Sequence, residues 1–241
     1  MSTPKKSGLF SSPSGTPVRT PNGKLNNNQK RKQYLYGKDK GLQDAIDILL
    51  GNSNNKTFND FNKYFNTMNF DSRTASVNPN SALFMDKTNE KVYKIGLWNK
   101  CKMGIRNEYI SYKKIANKAN NHKYVHTPKM IDCKIIPGTE YALLVITYQS
   151  ALENATLIKT DNTLFNAAEN FLKNLGIVHR DLVGGNIYEI YITNYKTFFI
   201  IDFEDCIFNN NKFKLNNTLN ENLKKMDSKV KKKNLNLPQT C

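Results

Sequence analysis

A chain of 241 residues with 39% hydrophobic and 11% aromatic side chains can build one packed domain or two small ones. No apolar run approaches the ~20 residues of a membrane helix, the longest lying near 141–148. The net charge of +16 belongs to the ends: residues 1–40 hold nine Lys/Arg and one acidic residue, residues 212–241 eight and two, and 41–211 nineteen and seventeen. This distribution argues against a nucleic-acid-binding core. Basic ends read first as solvated segments, with nuclear targeting or weak contact to nucleic acid or an anionic surface as the alternative. Four scattered cysteines, Cys101, Cys133, Cys206 and Cys241, have no C-x-x-C pair and no His at ligand spacing, so they read as reduced thiols, not a zinc site or a disulfide framework. With no apolar leader, an intracellular protein, cytoplasmic or nuclear, is expected.

In chain order, residues 1–38 are expected to be a disordered tail, because Ser, Pro, Gly, Asn and Lys dominate. Its Ser12-Pro13, Thr16-Pro17 and Thr20-Pro21 read as linker punctuation or as sites for a proline-directed kinase. Residues 39–70 form a helical extension. Leu42, Ala45, Ile46, Leu49 and Leu50 make one stripe, ended by Gly51. A second helix starts at Thr57 with Asp60 as capping-box partner, and Phe58, Phe61 and Phe65 share its core face.

From Asp71 the pattern changes. Runs at 81–86 and 92–97 read as a hairpin around Lys87-Thr88-Asn89-Glu90. A helix over 102–119 follows, with Ile105, Tyr109, Tyr112, Ala116 and Ala119 near one stripe. Strands at 128–136 and 141–147 turn at Pro137-Gly138. A helix over 163–175, capped by Asp161 or Asn162 and ended by Gly176, buries Leu164, Ala168, Phe171, Leu172 and Leu175. A second hairpin spans 187–192 and 197–201, and 209–241 is a basic tail of coil or frayed helix. The order of elements is α+β.

The chemistry concentrates in His179-Arg180-Asp181-Leu182-Val183-Gly184-Gly185-Asn186 and, sixteen residues after Asn186, in Ile200-Ile201-Asp202-Phe203-Glu204. A carboxylate and an amide carbonyl are hard oxygen ligands suited to Mg²⁺. Asp and Asn also cap turns, but two such groups at a fixed offset, followed by a second Asp-Phe, form a more specific pattern. The first motif is similar to the H-R-D-L-x-x-x-N loop of protein kinases, and the second resembles their D-F-G segment with Glu204 in place of Gly. Over residues 71–208 the resemblance implies a protein-kinase-like α+β domain with a small β-rich N-lobe and a truncated helical C-lobe. It implies ATP and Mg²⁺ as cofactors, Asp202 and Asn186 holding the metal, and Asp181 orienting or deprotonating the acceptor hydroxyl. His179 is then structural. Arg180 meets either a phosphorylated loop or a local carboxylate. Lys91-Val92-Tyr93-Lys94 resembles the V-A-I-K strand, which makes Lys94 the phosphate-contacting lysine and Glu108, beside the apolar face of the following helix, its partner. By order, Thr147, Tyr148 and Gln149 stand where backbone groups meet adenine.

The chain also departs from that pattern. No Gly-rich loop precedes Lys94, since residues 72–77 read Ser-Arg-Thr-Ala-Ser-Val. Val183 stands where many protein kinases have Lys, only 39 residues follow Asp202, and no A-P-E occurs. Asp202-Phe203-Glu204-Asp205 looks like the aminoglycoside and choline phosphotransferases or the compact lipopolysaccharide and RIO-type kinases. The first expectation is therefore a minimal serine/threonine protein kinase with a protein substrate. Beside it stand a small-molecule kinase, a pseudokinase interaction module and, more weakly, a nucleic-acid binder acting through its tails.

Overall fold

The computed structural model describes residues 27–68, 80–99, 104–119, 125–150, 152, 155–157, 163–182, 185–192, 195–209 and 211–230. Three helices come first: α1 (Asn27–Leu35), α2 (Lys40–Gly51) and α3 (Lys56–Thr67). The hairpin β1 (Ser81–Asp86) and β2 (Lys91–Leu97) leads to α4 (Ile105–Ala119), β3 (Val125–His126), β4 (Met130–Ile135), β5 (Tyr141–Thr147) and β6 (Thr156–Leu157). The remainder is α5 (Thr163–Asn174), β7 (Ile177–His179), β8 (Ile187–Ile192), β9 (Tyr195–Ile200), β10 (Cys206–Phe208) and α6 (Asn217–Lys229).

Strands β1-β2-β5-β4 form an antiparallel sheet. β5 lies inside it and is buried on both faces, which explains its unbroken apolar run. The two-residue period of a strand divides the sheet between two cores. Tyr93, Ile95, Leu143 and Val145 face Leu42, Ile46, Leu49, Phe58, Phe61 and Phe65 of α2 and α3. Val92, Ala142, Leu144 and Ile146 face the core that contains Ile105, Tyr109 and Tyr112 of α4. Lys94 has the parity of Val92 and so projects toward α4. Gly96 lets α4 come close: a Cβ there would stand 3.3 Å from Ile105 Cγ1.

The remaining strands form a four-stranded sheet, β3-β9-β8-β6, and the pair β10-β7. The second half of the chain is accordingly richer in strand than the expected helical C-lobe. Among the described residues, α5 and α6 are its helices, because Ile187–Ile192 and Tyr195–Ile200 pair as a hairpin and recruit β3 and β6 at its edges.

Other expectations are corrected as well. The tail assigned to 1–38 gives way to helix from Asn27, because Leu35 finds a buried place against the sheet and the Lys38 ammonium donates to the Ser81 carbonyl at 3.2 Å. α3 is capped by Asn55, not Thr57: the Asn55 side chain accepts from Thr57 and Phe58 N–H, while Asp60 lies 3.9 Å from Lys91. On α4 the buried stripe passes through Ile115, leaving Ala116 exposed. The basic tail from 209 contains α6, capped by Asn216 and docked through buried Leu223, with Leu215, Leu219, Met226 and Val230 packed alongside. Cys133 and Cys206 are free and buried. The Ser/Thr-Pro dipeptides, residues 72–77, Asp161, Asn162, Cys101 and Cys241 lie outside the described residues. Among the described residues no helix is long and apolar enough to cross a membrane.

Candidate functional site

β2 and α4 bring Lys94 and Glu108 together across the sheet face, and the segment after β9 adds Asp202 and Glu204. The Lys94 ammonium lies 3.1 Å from Glu108 Oε1, 2.7 Å from Asp202 Oδ1 and 3.1 Å from Glu204 Oε2. Glu108 is almost wholly buried, its side chain 2% exposed, and Lys94 is 11% exposed. Burial acts to discharge Lys94, but the Glu108, Asp202 and Glu204 carboxylates outweigh it and hold the ammonium charged. Burial also pushes the Glu108 carboxyl well above its ordinary range, and Lys94 only partly offsets that. Asp202 is less enclosed. Burial opposes its charge, yet the contact with Lys94 holds it below the usual carboxylate range. The Lys94 ammonium is thus shared among three carboxyl groups, and at Glu108 burial favours the neutral form.

Asp202 has φ +58°, a left-handed conformation that costs a non-glycine residue roughly 1 kcal/mol and persists where the surroundings over-determine it. Here the restraint comes from both neighbours. The Ile201 N–H donates to the Asn186 carbonyl at 3.0 Å, and the Ile201 carbonyl lies 3.0 Å from His179 Nε2. Phe203 is fully buried, edge-on to Tyr112 at 5.2 Å and 5.1 Å from the His179 ring. His179 thus packs the loop backbone. Arg180 pairs locally with Asp205 through its guanidinium.

Asn186 Nδ2 donates to both the carbonyl and Oδ2 of Asp181, each at 2.9 Å. With both amide protons turned to Asp181, Asn186 Oδ1 is left to accept elsewhere. Asn186 is buried and Asp181 exposed, an arrangement that holds a carboxylate at the surface on a fixed support.

The cleft holding Lys94 is lined by Leu83, Val92, Ile146, Tyr148, Leu152 and Ile201 beside the charged cluster. Thr147, Tyr148 and Gln149 also line it. Two of their backbone donors are already engaged: Thr147 N–H donates to the Lys129 carbonyl and Tyr148 N–H to that of Glu90, at 2.9 and 2.8 Å. These two N–H groups thus bond to the residues just before β4 and β2. Sequence reasoning missed Asp60, Lys63 and Tyr64 of α3, which line the same cleft. Nothing in their local pattern signals it, since the contact spans a long separation along the chain. Glu204 was legible only as a departure from Gly.

Mg²⁺ commonly uses one or two carboxylates and completes its shell with phosphate and water. Asp202 and Asn186 carry a carboxylate and an amide oxygen of that kind, and the Ile201–Asn186 backbone bond brings their two segments together. Among the described residues no group of three or more His, Cys, Asp or Glu could hold a metal without such help.

The chain is similar to a viral kinase. The Cydia pomonella granulovirus kinase PK-1 matches over 53% of this chain and 51% of its own, at 18% identity and a TM-score of 0.35, so the chain spans about half that structure's length. No protein-family model matches, and no curated protein does.

Proposed function

We propose that the chain is an ATP- and Mg²⁺-dependent phosphotransferase of the protein-kinase-like type, with a protein serine or threonine hydroxyl as acceptor. The observation that carries this is the Lys94 ammonium held between Glu108 and Asp202 in a cleft lined by both apolar and charged side chains.

In this reading Glu108 fixes the Lys94 side chain so that its charge meets the α- and β-phosphates. Asp202 and Asn186 hold Mg²⁺, which when bound supplies positive charge against the phosphate oxygens. Asp181, steadied by the Asn186 amide, accepts the hydroxyl proton while the acceptor oxygen bonds to the γ-phosphorus and the bond to the ADP oxygen breaks.

A second reading, a small-molecule kinase, is favoured by Glu204, which places a further carboxylate 3.1 Å from Lys94. The local pairing of Arg180 with Asp205 also removes one reason to expect a phosphorylated loop.

Transfer of labelled γ-phosphate, measured with Mg²⁺ over protein, aminoglycoside and choline acceptors, separates the readings. Label on protein that vanishes in Asp202→Ala supports the first. Label confined to a small alcohol replaces it with the second. Label unchanged in Asp202→Ala contradicts both.

A further inference from the structure

Asp227, on the last turn of α6, is far in sequence from the catalytic loop. Its carboxylate accepts from Trp98 Nε1 at 2.7 Å and from Arg106 Nε and Nη2 at 3.1 and 3.2 Å. Both oxygens are thus engaged, with Arg106 held in two-point contact. The two donors sit at strategic places. Trp98 directly follows β2, the strand of Lys94, and its ring is 1% exposed and 6.1 Å from Tyr109 of α4. Arg106 opens α4 two residues before Glu108, and its N–H donates to the Trp98 carbonyl at 2.9 Å. A single carboxylate therefore ties the end of the Lys94 strand to the start of the Glu108 helix.

The opposite side of that helix start is fixed to the Asp202 segment. The Gly104 N–H donates to the Glu204 carbonyl at 3.1 Å, and Asn107 Nδ2 to the Glu204 and Cys206 carbonyls at 3.2 and 2.9 Å. Further along α4, the Lys114 ammonium donates to the Lys214 carbonyl and lies 4.9 Å from the Phe213 ring, a second tether to the stretch leading into α6.

We infer that Asp227 is a positioning residue: docking of α6 through Asp227 sets α4 against β2 so that Glu108 orients Lys94. This rests on the nucleotide-site reading proposed above. The helix does not touch the cleft, and its effect passes through Arg106 and Trp98. The chain has one tryptophan, Trp98, so its emission reports the Asp227 contact directly.

The test uses the full chain and the near-isosteric Asp227→Asn, which keeps the shape and removes the charge. Trp98 emission is recorded together with affinities for MgATP and for adenosine. Emission should shift, MgATP affinity fall about tenfold, and adenosine affinity stay as it was, since adenosine has no phosphate for Lys94 to meet. In a Glu108→Gln background, Asp227→Asn should cost nothing further, because the group it positions is gone. Leu223→Ala, which loosens α6 without altering the carboxylate, should reproduce the MgATP loss more weakly. Unshifted emission, unchanged MgATP affinity, parallel loss of adenosine, or an undiminished loss in the Glu108→Gln background would each overturn the inference. A wild-type chain that binds no MgATP overturns it too. If Trp98 emission still shifts in Asp227→Asn, the fault then lies in the nucleotide-site reading, not in the docking.

Discussion

At Lys94 the competing terms are large. A buried pair broken by removing one member costs about 3–5 kcal/mol, because a charge is left without compensation. Glu108, 2% exposed, has little access to solvent. Lys94→Met should therefore lower stability by about 3 kcal/mol in denaturant unfolding, as well as weaken nucleotide binding. Replacing both members, Lys94→Met with Glu108→Leu, should recover the part of the loss that comes from Glu108, while Asp202 and Glu204 still lack their cation, and none of the binding. If the double variant is as unstable as the single one, the pair is not the source of the loss. Gly176 makes a separate point. Its φ is +75°, and a Cβ would stand 2.8 Å from the Phe213 nitrogen, so Gly176→Ala combines left-handed strain with a clash against backbone. A loss above about 1 kcal/mol is expected; a neutral result would mean that the backbone at Phe213 does not press on the end of α5.

At the scale of elements, α3 and α6 lie on opposite cores and are held by different means. α3 is an aromatic wedge. Phe61 meets Phe65, Phe84 and Tyr93 with centroids 5.3–5.4 Å apart, and Tyr64 stacks on Tyr93 at 5.5 Å while donating to the Met85 carbonyl. Phe61→Ala should cost about 3–5 kcal/mol. The Asn55 cap is worth much less, about 1 kcal/mol on replacement by Ala. Thermal unfolding of the two variants should rank them in that order, and equal shifts would show that α3 is not anchored by its rings. α6 has one buried leucine and one charged tether, so Leu223→Ala should destabilise by about 2–3 kcal/mol, provided the helix stays docked as a unit.

Across the whole molecule, what was legible in the sequence followed short-range patterns. β1 and β2 are short apolar runs flanking a polar turn, and β5 reads as buried on both faces. The aromatic stripe of α3 repeats at three and four residues. Asp181, Asn186 and Asp202 stand in a linear motif, and Glu108 lies on the edge of an apolar helix face. What was not legible depends on contacts between distant segments. α1 reads as a polar tail because Leu35 is nearly alone among Gln, Lys and Arg. α6 and its flanks do carry Leu215, Leu219, Leu223, Met226 and Val230 at helical spacing, but Asn and Lys dilute the pattern. The alignment of Asp227 with Trp98 and Arg106 leaves no local trace at all. The placement of α3 beside the cleft is equally silent, since Asp60, Lys63 and Tyr64 look like an ordinary solvated face.

Nucleotide binding tests the Lys94–Asp202 site directly, whatever the acceptor. Titration of ATP into the chain, with and without Mg²⁺, compared between wild type and Asp202→Asn, isolates the site from the choice of acceptor. ATP binding should tighten with Mg²⁺ in the wild type, and the metal-dependent gain should be largely lost in Asp202→Asn. Binding that ignores Mg²⁺, or an equal gain in the variant, would contradict the assignment of Asp202 to the metal. The absence of any ATP binding would contradict the phosphotransferase reading as a whole.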